Sequence, residues 1–185
     1  MTTFTIHNLE TAPEKSKPLL EASLKQNGMI ANLHGVLAES PELLIAYREL
    51  NDLFVASSFD AEELTVVWQT INVEHGCTYC VPAHTVIAGM MKVDPALTEA
   101  LRDQKPMPTA KLQALQDMTL SIVRNRGNVD DVAVAEFLAA GYAQRQILDI
   151  ILGVSQKVIS NYVNHIAKTP LDTPFQKLAW RKKTS

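Results

Sequence analysis

Apolar residues recur at helical spacing along almost the whole chain, and no convincing run of alternating β-branched residues bounded by tight turns interrupts them. A chain patterned in this way buries its stripes by packing helix on helix, so the fold is expected to be all-α. With 185 residues, 46% of them hydrophobic, the chain is long enough to bury a real core and fits one domain over 1–185.

Local chemistry marks the helices. Ser40-Pro41-Glu42 places a capping residue, a first-turn proline and a first-turn acid ahead of Leu43, Leu44, Tyr47, Leu50 and Phe54, predicting a helix to about Ser58. Asp60 with Glu63 has capping-box spacing, and Leu64, Val67, Trp68 and Ile71 supply a buried stripe that runs up to Gly76. Asp94-Pro95 opens a short helix, and Pro108-Thr109 precedes another that ends near Gly127. Asp130 to Ala140 is stopped by Gly141, and a last helix runs from Ala143 to Lys168, with Gly153 either a soft point or a close helix contact. Sliding Leu64-Thr65-Val66-Val67 onto Leu148-Asp149-Ile150-Ile151 brings Cys77 over Asn161 and Cys80 over Asn164. That echo reads either as a duplicated helix pair or as two amphipathic helices sharing a period.

A net charge of -3 carries no electrostatic footprint for nucleic acid or an anionic membrane. The one basic run, Arg181-Lys182-Lys183, reads as a solvated tail. Met1 to Pro18 carries Glu10, Glu14, Lys15 and Lys17 without an apolar stretch, so neither a secretory signal nor a membrane helix is expected and the compartment is expected to be the cytoplasm. Thiols are kept reduced there, which turns attention to the only two cysteines of the chain.

They lie in Gly76-Cys77-Thr78-Tyr79-Cys80-Val81-Pro82-Ala83-His84. A disulfide between such close partners closes a very small loop and constrains the unfolded chain little, so the pair suits reversible oxidation better than stapling. Pro82 is tolerated only in a first helical turn, which starts the helix carrying His84 between Gly76 and Val81 and sets both sulfurs near its positive N-terminus, where a thiolate is stabilised. Cys77, Cys80 and His84 follow at i, i+3 and i+7 and share a face. His84, one turn after Cys80, is placed to take its proton, making Cys80 the attacking thiolate and Cys77 the resolving thiol.

Competing readings are weaker. Haem attachment needs His directly after the second cysteine, where Val81 stands. Structural zinc wants four ligands, and only distant His34 or His165 would complete the set, so no metal is expected. Thioredoxin-like folds place C-x-x-C after a strand, and the residues before Gly76 read as helix. Two buried cysteines without a function remain the plain alternative.

The stretch Gly76 to Thr85 after a capped helix resembles the alkylhydroperoxidase D-like branch of the carboxymuconolactone decarboxylase family. Asn125-Arg126-Gly127, Gly141-Tyr142 before Gln146-Ile147-Leu148, and Asn164-His165 leading into Pro170 to Phe175 resemble its longer peroxidase-related members, so the likeness covers about Ser40 to Phe175. It implies a helical bundle assembling into homo-oligomers, trimers or hexamers with dimers also allowed. It implies too that hydroperoxides are reduced without a bound cofactor, using electrons from a partner dithiol. The second cysteine is then peroxidatic, the first resolving and the histidine part of a proton relay: Cys80, Cys77 and His84. The family's relay glutamate falls twelve positions before the first cysteine, and Thr65 stands there. Threonine orients water but carries no proton near neutral pH, so Glu62, one turn earlier on the same face, and Glu74, three residues before Cys77, are the substitutes to examine; each also fits a solvated helix charge. Tyr79 lies between the cysteines where some members carry histidine, and with Trp68 it is a candidate for the pocket wall, although Trp68 equally fits the core. His34, His75 and His165 read as surface or capping residues, and Met90-Met91 as core or interface packing.

Two classes of function follow: a thiol peroxidase that cycles, or a redox sensor or helical interaction protein whose disulfide switches contacts without turnover. A lactone decarboxylase has no need of a C-x-x-C and ranks below both.

Overall fold

The computed structural model describes residues 4–183, and every regular element among them is helical. A 3-10 turn at Glu14–Ser16 leads into α1 (Lys17–Asn27), followed by α2 (Asn32–Leu37), α3 (Pro41–Val55), α4 (Ala61–Glu74), α5 (Cys80–Met90), α6 (Pro95–Asp103), α7 (Ala110–Arg124), α8 (Asp131–Ala139) and α9 (Gln144–Ala167), with a second 3-10 stretch at Thr173–Leu178. Four starts obey their capping chemistry, whereas Ser40 at the N-cap of α3 makes no side-chain cap bond. Asp60 accepts from the Glu63 amide and Glu63 reaches back to the Asp60 amide, a closed capping box, while Asp94, Thr109 and Asp130 each accept from an amide in the first turn of the helix they open. Two helices, α1 and α2, lie before the first one read from the pattern.

Helix α4 is buried along nearly its whole length, from Glu63 to Val73, because α5, α6, α7 and α9 surround it. The interior divides into two apolar clusters. One gathers Phe54, Trp68, Ile71, Leu101, Leu115, Phe137 and Ile150; the other gathers Leu20, Leu37, Leu44, Tyr47, Cys77, Tyr79 and Cys80. The cysteines therefore belong to the smaller cluster, beside α1 to α3, while α9 passes along α3 and α4.

Gly153 marks a close contact rather than a soft point. A methyl group there would stand 2.8 Å from Phe54 Cε2 and 3.1 Å from Val67 Cγ1, so α9 meets α3 and α4 so closely that any side chain would force the Phe54 ring to move. The echo between the α4 region and α9 is not matched in shape, since α9 runs unbroken through 158–164 where the corresponding segment breaks between α4 and α5.

The basic run is also not a free tail. Lys182 bonds the Glu74 carbonyl at 2.9 Å and Lys183 pairs with Asp103 at 2.9 Å, while Trp180 Nε1 donates to the Arg102 carbonyl. Met90 is exposed and Met91 packs against the larger cluster. Among the described residues, no helix is long and apolar enough to cross a membrane.

Candidate functional site

The site begins where α4 stops. Gly76 adopts φ +67°, its amide bonds the Val73 carbonyl at 3.0 Å, and the Cys77 amide reaches back to the Asn72 carbonyl at 2.9 Å. This is a Schellman closure, which needs a left-handed residue that glycine supplies at no steric cost. It delivers Cys77 directly to the start of α5. That helix begins at Cys80, so Cys77 lies in the turn before it rather than on its face; the Cys80 amide donates to Cys77 Sγ at 3.2 Å.

Both cysteines are free thiols and both are buried, Cys77 at 0% and Cys80 at 2% exposure. Burial by itself raises the Cys80 pKa. The Cys77 thiol, the Lys157 ammonium and the Asn164 and Asn161 amides outweigh it and bring the Cys80 thiol well below its ordinary value. Asn164 Nδ2 donates to Cys80 Sγ at 3.2 Å. Cys77 moves the opposite way, held protonated by its interaction with Cys80 and by burial. The pair is thus split into one thiolate and one thiol.

His84 is buried but does not bond either sulfur. Its Nε2 is 2.8 Å from Lys157 Nζ, its Nδ1 has no hydrogen-bond partner, and its ring lies 4.9 Å from that of Trp68. Burial and the Lys157 charge keep the imidazole neutral. The expected contact from His84 to Cys80 is therefore replaced by one to a lysine of α9. Lys157 is itself completely buried, and among the described residues it forms no ion pair with a carboxylate.

Trp68 belongs to the core and walls the site at once, with Nε1 donating to Gln156 Oε1 at 2.7 Å. Gln69, Asn72, Asn161 and His75 form a chain of side-chain hydrogen bonds in which Asn161 Nδ2 donates to Asn72 Oδ1 at 3.0 Å and its Oδ1 meets His75 Nδ1 at 2.9 Å. Tyr79 turns away from the sulfurs. Its hydroxyl donates to Asp172 and accepts from the Leu33 amide at 3.3 Å, and Asp172 also accepts from the Asn32 amide at 3.0 Å, capping α2. Burial and the Asp172 carboxylate keep the phenol protonated.

The candidate relay residues lie elsewhere. Thr65 is buried and donates its hydroxyl to the Ala61 carbonyl at 2.8 Å, within its own helix. Glu62 is exposed on a separate cavity with Asp94 and Pro108. Glu74 pairs with Arg124 at 2.9 Å and Lys182 at 3.5 Å, on a cavity of about 530 Å³ that none of the thiol residues lines. Glu63 is spent on the capping box and on Lys111. Of the remaining histidines, His34 bonds Ser23 Oγ at 3.0 Å and His165 is exposed.

A cavity of about 320 Å³ leads to the motif, lined by Cys77, Thr78, Tyr79, Asn164, His165, Lys168 and Thr169. Among the described residues, no group of three or more His, Cys, Asp or Glu side chains is arranged to hold a metal ion. Lys157, Asn164 and Asn161 escape a reading of the sequence because α9 looks like an ordinary amphipathic helix. The one hint is the echo that set Asn161 and Asn164 over the cysteines.

No protein-family model and no curated protein sequence matches the chain. Solved structures do. An uncharacterized peroxidase-related protein from Ralstonia eutropha JMP134, described as an alkylhydroperoxidase AhpD core, superposes with a TM-score of 0.81 at 16% identity, over 95% of this chain and 96% of that one. An uncharacterized peroxidase-related protein from Silicibacter sp. TM1040 gives 0.78 at 20% identity, over 94% and 95%. The debrominase Bmp8, in complex with 2,3,4-tribromopyrrole, gives 0.76 at 15% identity, over 96% and 95%. The fold is thus of the alkylhydroperoxidase D-like type.

Proposed function

We propose that the chain is a thiol-dependent peroxidase in which Cys77 and Cys80 alternate between dithiol and disulfide. The observation that carries this reading is the buried Cys80 sulfur, held by Asn164 at 3.2 Å and favoured as thiolate while Cys77 beside it stays protonated. That is the division of labour a two-cysteine cycle needs. The likeness to peroxidase-related folds agrees with it.

In the cycle, the Cys80 thiolate attacks the outer oxygen of a hydroperoxide, the O–O bond breaks, and the departing alkoxide takes one proton and leaves as an alcohol. The resulting Cys80 sulfenic acid is attacked by the Cys77 sulfur; the Cys77 proton and the sulfenic hydroxyl leave together as water. An external dithiol then reduces the disulfide and returns two electrons and two protons. His84 fixes Lys157 beside the pair, and Trp68 closes the wall behind it. The cavity at Cys77 is the approach for the reductant. Leu148, Ile151, Tyr162 and Ile166 leave an exposed apolar stripe on α9 that suits assembly into a homo-oligomer.

Peroxide consumption in the presence of a dithiol tests the reading, with a bromopyrrole run alongside as the competing substrate class suggested by the debrominase. Many turnovers per chain support a peroxidase. A single equivalent consumed per chain supports the second reading, a stoichiometric redox sensor, which the deep burial of both thiols favours.

A further inference from the structure

Lys157 is the one charged side chain of α9 that is wholly buried, and the cycle above leaves the source of its proton unnamed. A lysine in such a position is costly unless something compensates its charge. Its Nζ lies 2.8 Å from His84 Nε2, a neutral acceptor that orients the ammonium without balancing it. Burial lowers its pKa, and the charges among the described residues that act against that are those of the two thiols, Cys80 before Cys77. Helix α3 presents Tyr47, whose hydroxyl is kept un-ionised by burial and by the Cys80 charge. The site thus holds one anion and one cation when reduced. When the anion is consumed, a lone buried ammonium is left.

We propose that Lys157 is the proton store of the redox pair: its ammonium balances the Cys80 thiolate, and it gives up that proton when the Cys77–Cys80 disulfide forms. The inference rests on the pair being redox-active but not on the oxidant. With a hydroperoxide, the Lys157 proton ends on the alcohol and the Cys77 proton on water, and Lys157 becomes a neutral amine. On reduction, the dithiol returns one proton to Cys77 and the other to Lys157. Lys157 is a positioning and charge-balancing residue here, since its charge acts on Cys80 through space and its hydrogen bond goes to His84, which bonds neither sulfur.

The test uses diamide, which closes a disulfide by taking up two hydrogens and needs no peroxidase activity. In weakly buffered wild-type protein at pH 7, thiolate absorbance near 240 nm is followed together with an indicator dye. A thiolate present at the start, and no net proton uptake per disulfide formed, is the expected result, because Lys157 supplies the second proton. Lys157→Arg keeps the counter-charge but cannot release a proton, so it keeps the thiolate and takes up one proton from solution per disulfide. Lys157→Met is expected to move the thiolate titration up by about one to three units. Uptake of one proton per disulfide by the wild type, or a wild-type pair that carries no thiolate at pH 7, overturns the proton store while leaving the redox pair standing. Failure to close any disulfide overturns both readings. The wild-type count alone can overturn the proton store, and the contrast with Lys157→Arg assigns the released proton to Lys157.

Discussion

Asn164 Nδ2 donates to Cys80 Sγ at 3.2 Å, so a residue 84 positions along the chain helps decide the charge of the nucleophile. A hydrogen bond to a charged group contributes about 1.5–3 kcal/mol, or roughly one to two pKa units. Asn164→Ala should raise the Cys80 titration from about 5 by roughly one to two units and slow alkylation at pH 6 by about two- to tenfold. Rates of iodoacetamide labelling against pH measure this, and an unchanged profile would remove Asn164 from the site chemistry.

Separating the two cysteines gives the next expectation. Cys80→Ser should reduce peroxide consumption to the uncatalysed rate, whereas Cys77→Ser should consume one equivalent and leave a sulfenic acid that a dimedone probe traps. Equal activity in both variants would refute the assigned roles.

Glu74 faces Arg124 and Lys182, away from the sulfurs. Its carboxyl is held below the usual range first by the Arg124 hydrogen bond, and the pairing is largely exposed on the arginine side. Glu74→Gln should therefore leave the thiol titration unchanged and cost under about 1 kcal/mol of stability. A shift in the titration would restore Glu74 to the proton path. The same null result is expected for Glu62→Gln, since Glu62 is exposed on another cavity.

Acid should weaken the fold through desolvated histidine. Burial, and then the Arg48 charge, lower the His34 pKa from 6.5 to about 4. The folded state therefore resists protonation that the unfolded chain accepts. The stability so contributed is full above about 6.5 and is lost as pH falls towards about 4, on the order of 3 kcal/mol. His84, also held neutral by burial, acts in the same direction. Urea midpoints between pH 7 and pH 4 should fall steadily in the wild type and less steeply in His34→Gln. Parallel slopes would contradict the assignment.

Gly153→Ala probes the crossing of α9 over α3 and α4. Its new methyl would stand 2.8 Å from Phe54 Cε2 and 2.9 Å from Phe54 Cζ, so the ring must shift. A loss of about 1–3 kcal/mol in chemical denaturation is expected, and a neutral or stabilised variant would show that the crossing relaxes freely.

Local signals made the helix starts legible. Asp60 with Glu63, Asp94, Thr109 and Asp130 all cap where their chemistry says they should, because a cap is settled within four residues of chain. Pro82 located the start of α5, and the left-handed Gly76 explains how α4 ends. The site was harder to read because its partners come from the far end of the chain. Nothing in a helical pattern distinguishes buried Lys157 from any exposed lysine of α9. His84 was expected to face Cys80 from spacing alone, but one helical turn does not fix which neighbour a ring prefers, and Lys157 took its Nε2. Helix α1 does carry a start signal, Ser16 at its N-cap and Pro18 in its first turn, whereas α2 has Ala31 at its N-cap, and neither is opened by a side-chain cap of its own N-cap residue.

Tyr79, between the two cysteines, ties them to both ends of the described chain: its hydroxyl accepts from Leu33 and donates to Asp172, and Asp172 holds Asn32 from 140 residues away. Contacts of such sequence separation close late, after the loop entropy between them has been met. On a ribosome, the cysteines emerge well before Lys157, Asn164 and Asp172 have been made. Until that last stretch arrives they are two ordinary, open thiols, exposed to whatever oxidant or disulfide the surroundings contain. The arrival of residues 157–172 is what hides them and, in the same event, sets one of them apart as the anion.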